Sequence, residues 1–114
     1  MALFKTRVAL AAAGVNTNIL AGSKFEFLSR PAAIQLFASQ DGTGTALIDF
    51  SLGNAVVGED LLPNRTTTAG LVQRQNDGLG AGAGMGGDRI QIKARNTDAA
   101  NAVNVTVMLD ILEA

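Results

Sequence analysis

The sequence predicts an all-β fold, an antiparallel β-sandwich of about eight strands in a single domain spanning residues 1–114. Three observations predict it. Apolar and polar residues alternate with period two in at least five segments, clusters of Gly, Asn, Asp and Pro separate them, and no segment carries a long, capped period of 3.6 residues.

The alternation is clearest at the C-terminal end. Val103, Val105, Val107, Leu109 and Ile111 share one face, with Asn104, Thr106 and Asp110 on the other. Just before them, Arg89, Gln91, Lys93 and Arg95 alternate with Ile90, Ile92 and Ala94. The polar link Asn96 to Asn101 between the two segments has hairpin length, so the expected arrangement is an antiparallel pair with one buried face. Upstream, Phe4, Thr6, Val8 and Leu10 alternate with Lys5 and Arg7, and Phe25 and Phe27 with Lys24 and Glu26. Pro31 opens the next segment, where a missing amide hydrogen is tolerated. Ala33 to Ser39 and Thr45 to Leu52 flank Gln40-Asp41-Gly42-Thr43-Gly44, which reads as a hairpin loop. Ala55 to Val57 and Ala69 to Gln73 complete the strand set, and Ala9 to Ala13 has the propensity for one helical turn.

Residues 58–87 read by composition as one long glycine-rich loop. The chain holds 13 glycines, and six of them fall between Gly78 and Gly87. Loops of such length in compact domains serve a function or stay disordered. The tract from Leu79 to Gly86 is therefore expected to be ordered by partners and dispensable for the fold.

Composition excludes several classes of function. Nine basic and ten acidic side chains leave a net charge of −1, without the basic surplus that drives nucleic-acid or anionic-membrane binding. No stretch approaches the roughly 20 apolar residues that span a bilayer. Lys5, Arg7 and the apolar run Val8 to Ala13 imitate the start of a secretory signal, but Asn16, Thr17 and Asn18 interrupt it, and the segment reads as mature protein. Charged residues make up 17%, against roughly 25% in ordinary soluble domains. Low charge density favours association, and a homo-oligomer is expected.

Chemistry-bearing patterns are sparse. With no His and no Cys, zinc sites and Ser-His or Cys-His catalysis lack their parts. Gly82-x-Gly84-x-x-Gly87 matches a dinucleotide fingerprint in letters only, because a strand follows it where a helix is required. Glu59, Asp60, Asp77 and Asp88 supply loop oxygens for a cation without any EF-hand spacing. Asn64-Arg65-Thr66 and Asn104-Val105-Thr106 match the glycosylation sequon. Arg89, Lys93 and Arg95 form a basic stripe, expected to be solvated or to pair with a neighbouring subunit's carboxylates. The expectation is thus a non-enzymatic protein without catalytic, cofactor-binding or metal residues.

Strand plan, internal loop and the run Gly87-Asp88-Arg89-Ile90-x-Ile92-x-x-Arg95-Asn96-Thr97 followed by alternating valines resemble small viral jelly rolls. Gly87 to Leu112 is similar to the closing strands of single-jelly-roll capsid and decoration (cement) proteins of bacteriophages. That resemblance implies a structural role on the capsid surface of a virion. It also implies trimers, and contacts with the major capsid protein or other virion proteins. Only Lys5 and Arg7 are basic in the first 23 residues. A genome-contacting shell subunit commonly has a basic arm, so decoration is favoured over the alternative of a single-jelly-roll major capsid protein. A carbohydrate-binding module is the third reading, and it lacks the Trp and Tyr faces on which sugars stack.

Overall fold

Residues 2–113 are described by a computed structural model, and among them there is no helix. The strands are β1 (Ala2–Leu10), β2 (Val15–Asn16), β3 (Ala32–Gly42), β4 (Ala46–Leu52), β5 (Ala55–Leu61), β6 (Asn64–Arg65), β7 (Gly78–Gly84), β8 (Ile90–Asn96) and β9 (Val103–Glu113). Their pairing is nested: β1 with β9, β2 with β8, β3 with β7 and β4 with β5, all antiparallel. The chain is one long hairpin that reverses at Gly53-Asn54, where Gly53 takes the left-handed φ of +58° that its lack of a Cβ permits. The hairpin is then rolled up. Pairing of β3 with β9 joins the first and third pairs, and pairing of β4 with β8 joins the second and fourth. Two sheets result, β1-β9-β3-β7 and β2-β8-β4-β5, with β6 running parallel to β3 beyond β7. This is a jelly roll.

Alternation decides which residues lie between the sheets. Ile34, Leu36 and Ala38 of β3 and Val105, Val107 and Leu109 of β9 face Ile48 and Phe50 of β4 and Ile90 and Ile92 of β8, all of them fully buried. Phe4 and Val8 of β1 pack on the rim of this core.

The strands at either side of the expected hairpins are real, but the hairpins are not. β8 and β9 lie in opposite sheets, as do β3 and β4. In each case the polar link is a corner between sheets, because both strands find longer ladders with distant partners. The segment around Phe25 and Phe27 is not a strand either. Residues 18–28 run in turns along the free edge of β8, touching it as a ladder only at Phe27–Arg89. Asn18 is 5% exposed; its Oδ1 accepts from the amides of Leu20 and Ile92 (both 3.1 Å), and its Nδ2 donates to the Ile90 carbonyl at 3.3 Å. Ile19 donates to the Ile92 carbonyl, and Ile90 to the Glu26 carbonyl. This covering satisfies the edge that two-residue β2 leaves bare. Ala69 to Gln73 contains no strand, and Ala11 to Gly14 is a turn with Ala13 at φ +57° rather than helix.

The glycine tract is the largest departure. Gly78–Gly84 is β7, an edge strand registered on β3 from Ala32–Gly84 to Leu36–Gly80. Gly80 and Gly82 face the second sheet, where a Cβ on Gly82 would lie 2.9 Å from Leu52 Cδ1 and 3.2 Å from Val57 Cγ2. The glycines are there to let the sheets approach, not to loosen a loop. Deleting Leu79 to Gly86 would remove this strand from the sandwich, so the tract is not dispensable for the fold.

The sheet-crossing corners at residues 10–15, 42–46 and 96–103 meet at one end of the sandwich. Asn96, 5% exposed, donates from Nδ2 to the carbonyls of Ala11 (3.0 Å) and Asn101 (2.7 Å), while its Oδ1 accepts from the Asp98 amide. Buried Gln40 donates to the Pro63 carbonyl and accepts from the Ala46 amide at 2.7 Å. Arg65 donates to the carbonyls of Gly42 and Gly44. Gly44 has no room for a side chain, since a Cβ would sit 2.7 Å from the Asn101 carbonyl oxygen and 3.0 Å from that of Ala102. Gly44→Ala is therefore expected to destabilise the fold by about 1–3 kcal/mol in urea unfolding, because backbone must move to admit the methyl. A change below about 0.5 kcal/mol, the range of an ordinary surface substitution, would show that the corner gives way freely.

Candidate interaction surface

Outward-facing residues of the β1-β9-β3-β7 sheet divide into a covered half and a bare half. Phe37 and Ser39 of β3 and Thr106 and Met108 of β9 point away from the core by alternation, yet all four are buried. Residues 66–77 form a strap over them. Ser39 Oγ donates to the Leu71 carbonyl at 2.6 Å, and the Ala38 amide donates to the Asp77 carbonyl at 3.0 Å. Arg74 makes a two-pronged bond to Asp110, with both N···O distances 2.9 Å. The Asp77 carboxylate accepts from the Gln73 amide at 2.6 Å and closes the strap's last turn. The sequence carries a sign of this cover that the reading of single faces missed. Around Phe37 and Met108 both faces of the strand are apolar, as in strands covered on both sides.

Beyond the strap the sheet is bare. Ala33, Gln35, Ala81, Ala83 and Leu112 are all exposed, and two shallow grooves of about 350 and 390 Å³ run between them toward Pro31 and Met85. A third groove, between Phe27 and Glu113, adjoins them at the last residues of β9. Large apolar side chains gather here. Phe27 is 56% exposed, Met85 65%, Leu112 58%, and Leu3, opposite Asp110 in the ladder, 53%. Phe25, beside the third groove, packs edge-on against Phe4 at 5.5 Å between centroids, with the Lys24 ammonium over its ring. This end of β9 is about 33 Å from the polar corners, taking ten residue steps of strand. The sandwich thus has a sealed polar end and an open apolar end.

The acidic residues singled out in the sequence are spread around the molecule. Asp77 holds the strap turn, and Asp88 accepts from the Met85 amide at 2.9 Å in the turn after β7. Glu59 and Asp60 lie on β5, and Asp60 pairs with Arg95. Among the described residues no three His, Cys, Asp or Glu side chains converge as a metal site would need. Two members of the basic stripe, Arg89 and Arg95, are paired within the chain. Arg89 bonds Glu26 at 2.9 Å, and Arg95 reaches Asp49 at 3.7 Å as well as Asp60. Gly82, Gly84 and Gly87 belong to β7 and its following turn, with no helix after them to receive a phosphate. Of the sequon asparagines, Asn64 donates to the Asn76 carbonyl at 2.6 Å and Asn104 is half-buried on β9.

No protein-family model and no curated protein matches this chain. Among solved structures, it is similar to a CBM36 carbohydrate-binding module in complex with calcium and xylotriose. There the identity is 19%, 95% of this chain and 87% of that chain are covered, and the TM-score is 0.43. It is also similar to the capsid of Helicobacter pylori bacteriophage KHP30, at 12% identity, 100% and 94% coverage and a TM-score of 0.43. A Bacillus endospore appendage protein shows 18% identity, 97% and 88% coverage and a TM-score of 0.38. All three are weak likenesses.

The strap's anchor responds to acid. Hydrogen bonds from Arg74 hold the Asp110 carboxyl below its ordinary range, burial opposes the shift, and the guanidinium's charge adds to it. A carboxylate whose pKa is lowered on folding contributes stability above its unfolded value and loses it as pH falls through the folded one. Hydrogen-exchange protection of the Leu71 and Asp77 amides, corrected for intrinsic rate, should be constant from neutral pH to about 5 and fall below about 4. Asp110→Asn should lower that protection at neutral pH and remove the acid step. Identical profiles in both proteins would show that another contact holds the strap.

Proposed function

We propose that this chain is a virion structural protein of the decoration type, which sits on a capsid surface and stabilises the shell through subunit contacts. The open apolar end carries this reading. Phe27, Met85 and Leu112, each more than half exposed, line adjoining grooves at one end of a domain whose other end is closed by hydrogen bonds. An apolar surface of that kind is stabilised when a partner removes it from water. The jelly roll alone does not choose the partner, since capsids, lectins and cupins share it. Near-neutral charge favours the outside of a shell over contact with a genome.

In this reading copies of the chain associate, three together as the resemblance to decoration proteins implies. Linked copies bind a repeating lattice far more tightly than one copy does. Light scattering of the purified chain should give an oligomer, and the chain should sediment with shells formed by the capsid protein of its own source. Phe27→Asp with Leu112→Asp should abolish the sedimentation, by about 100-fold in affinity at two buried apolar anchors, while leaving the melting temperature nearly unchanged. Unmodified chain that stays in the supernatant with intact shells would overturn the proposal.

A further inference from the structure

We propose that β7 is a self-pairing edge: two copies of this chain join β7 to β7 antiparallel about a two-fold axis, so that one sheet continues through both. The inference rests on the self-association read above and adds a pairwise contact to it.

β7 has one hydrogen-bonded neighbour among the described residues, β3, so the amides and carbonyls of alternate residues point away from the sheet. An open edge of this kind is a template for another strand, and proteins usually block it. The other long edges among the described residues are obstructed. The turns of residues 18–28 cover β8. β5 is broken by two register irregularities and by Asp60 at φ +55°, and it carries Glu59 and Asp60. β1 carries Lys5 and Arg7. Two-residue β2 aside, β7 is the edge strand among the described residues with neither charge nor proline along its length.

The occupant follows from the strand's own sequence. Gly80-Ala81-Gly82-Ala83-Gly84 reads the same in both directions. A two-fold axis through Gly82 sets Ala81 against Ala83 of the second copy, Gly80 against Gly84, and Gly82 against itself. Residues opposite each other in an antiparallel pair lie on the same side of the sheet. The glycines of both copies therefore stay on the core side, where Leu52 and Val57 leave no room for a Cβ on Gly82, and the alanines of both stay outside. No bulky or charged group opposes pairing on either face. A two-fold contact of identical strands is self-complementary and closes after two copies. It adds a pairwise link to whatever assembly the apolar end forms.

Charge swaps at the two alanines test both the edge and the register. Ala81→Lys with Ala83→Lys puts like charges opposite one another twice, and should weaken pairing by about tenfold or more and halve the mass seen by sedimentation equilibrium. Ala81→Glu with Ala83→Lys puts opposite charges at the same contacts, and should restore the original mass. In the unmodified protein, exchange protection of the outward-pointing amides of Gly80 to Gly84 should fall on dilution, a readout that needs no variant to fold. An oligomer whose mass the double lysine leaves unchanged would overturn the β7 pairing while sparing self-association. Loss of assembly in both variants would show an apolar contact in place of a registered ladder and overturn it too. A chain that is monomeric at every concentration, with β7 amides unprotected, would overturn both readings.

Discussion

The ladder between β3 and β9 is the constraint on which the remaining structure hangs. Eleven consecutive residue pairs join Ala32–Gly42 to Val103–Glu113, segments about 70 positions apart in the chain. With that register set, β1 has only the far edge of β9 to pair with and β7 only the far edge of β3. A slip of one residue would turn Ile34, Leu36, Val105, Val107 and Leu109 out of the core together, so burial enforces the register along the whole ladder. The second sheet repeats the device over seven pairs between β4 and β8.

The same ladder gives the molecule its polarity. At the Gly42–Val103 end the chain leaves the sheet at each strand, and its backbone groups must find partners away from any ladder. Asn96, Gln40 and Arg65 provide them. At the Ala32–Glu113 end the outer face carries small residues, Ala33, Ala81 and Ala83, between larger ones, and none of the described residues lies over it. The strap covers Phe37 and Met108 and ends before Leu112. Function, as proposed, belongs to the part of the sheet that the strap leaves uncovered.

Much of the fold is legible in the residues, because alternation is a local property. The inner faces of β1, β3, β4, β8 and β9 can be read directly from it. Pairing is not local. Asn96 to Asn101 looks like a hairpin link, and Gln40 to Gly44 likewise, but a buried Asn96 or Gln40 side chain that bridges distant carbonyls declares itself only once the corners meet. Phe25 and Phe27 alternate like a strand while serving as rim and surface of a turn-rich cover. β7 was the least legible element: glycine has weak strand propensity, and its role depends on Leu52, Val57 and Leu28 across the sandwich. The open apolar end was illegible for a related reason. Leu3, Phe27, Met85 and Leu112 are scattered through the sequence, and only the rolled hairpin brings them to one end.

Nesting also orders events during synthesis. Among the described strands β1 pairs with β9, and β3 can pair with β7 earlier but forms its longest ladder only with β9. Only β4 and β5 can meet as neighbours as they leave the ribosome. At about 5–20 residues per second, β1 stays without its partner for roughly 5–20 s before β9 emerges. Through that interval β1 and the β9-facing edge of β3 are unshielded β-segments of low charge. A cell that makes this protein in quantity must keep many such chains apart until β9 arrives.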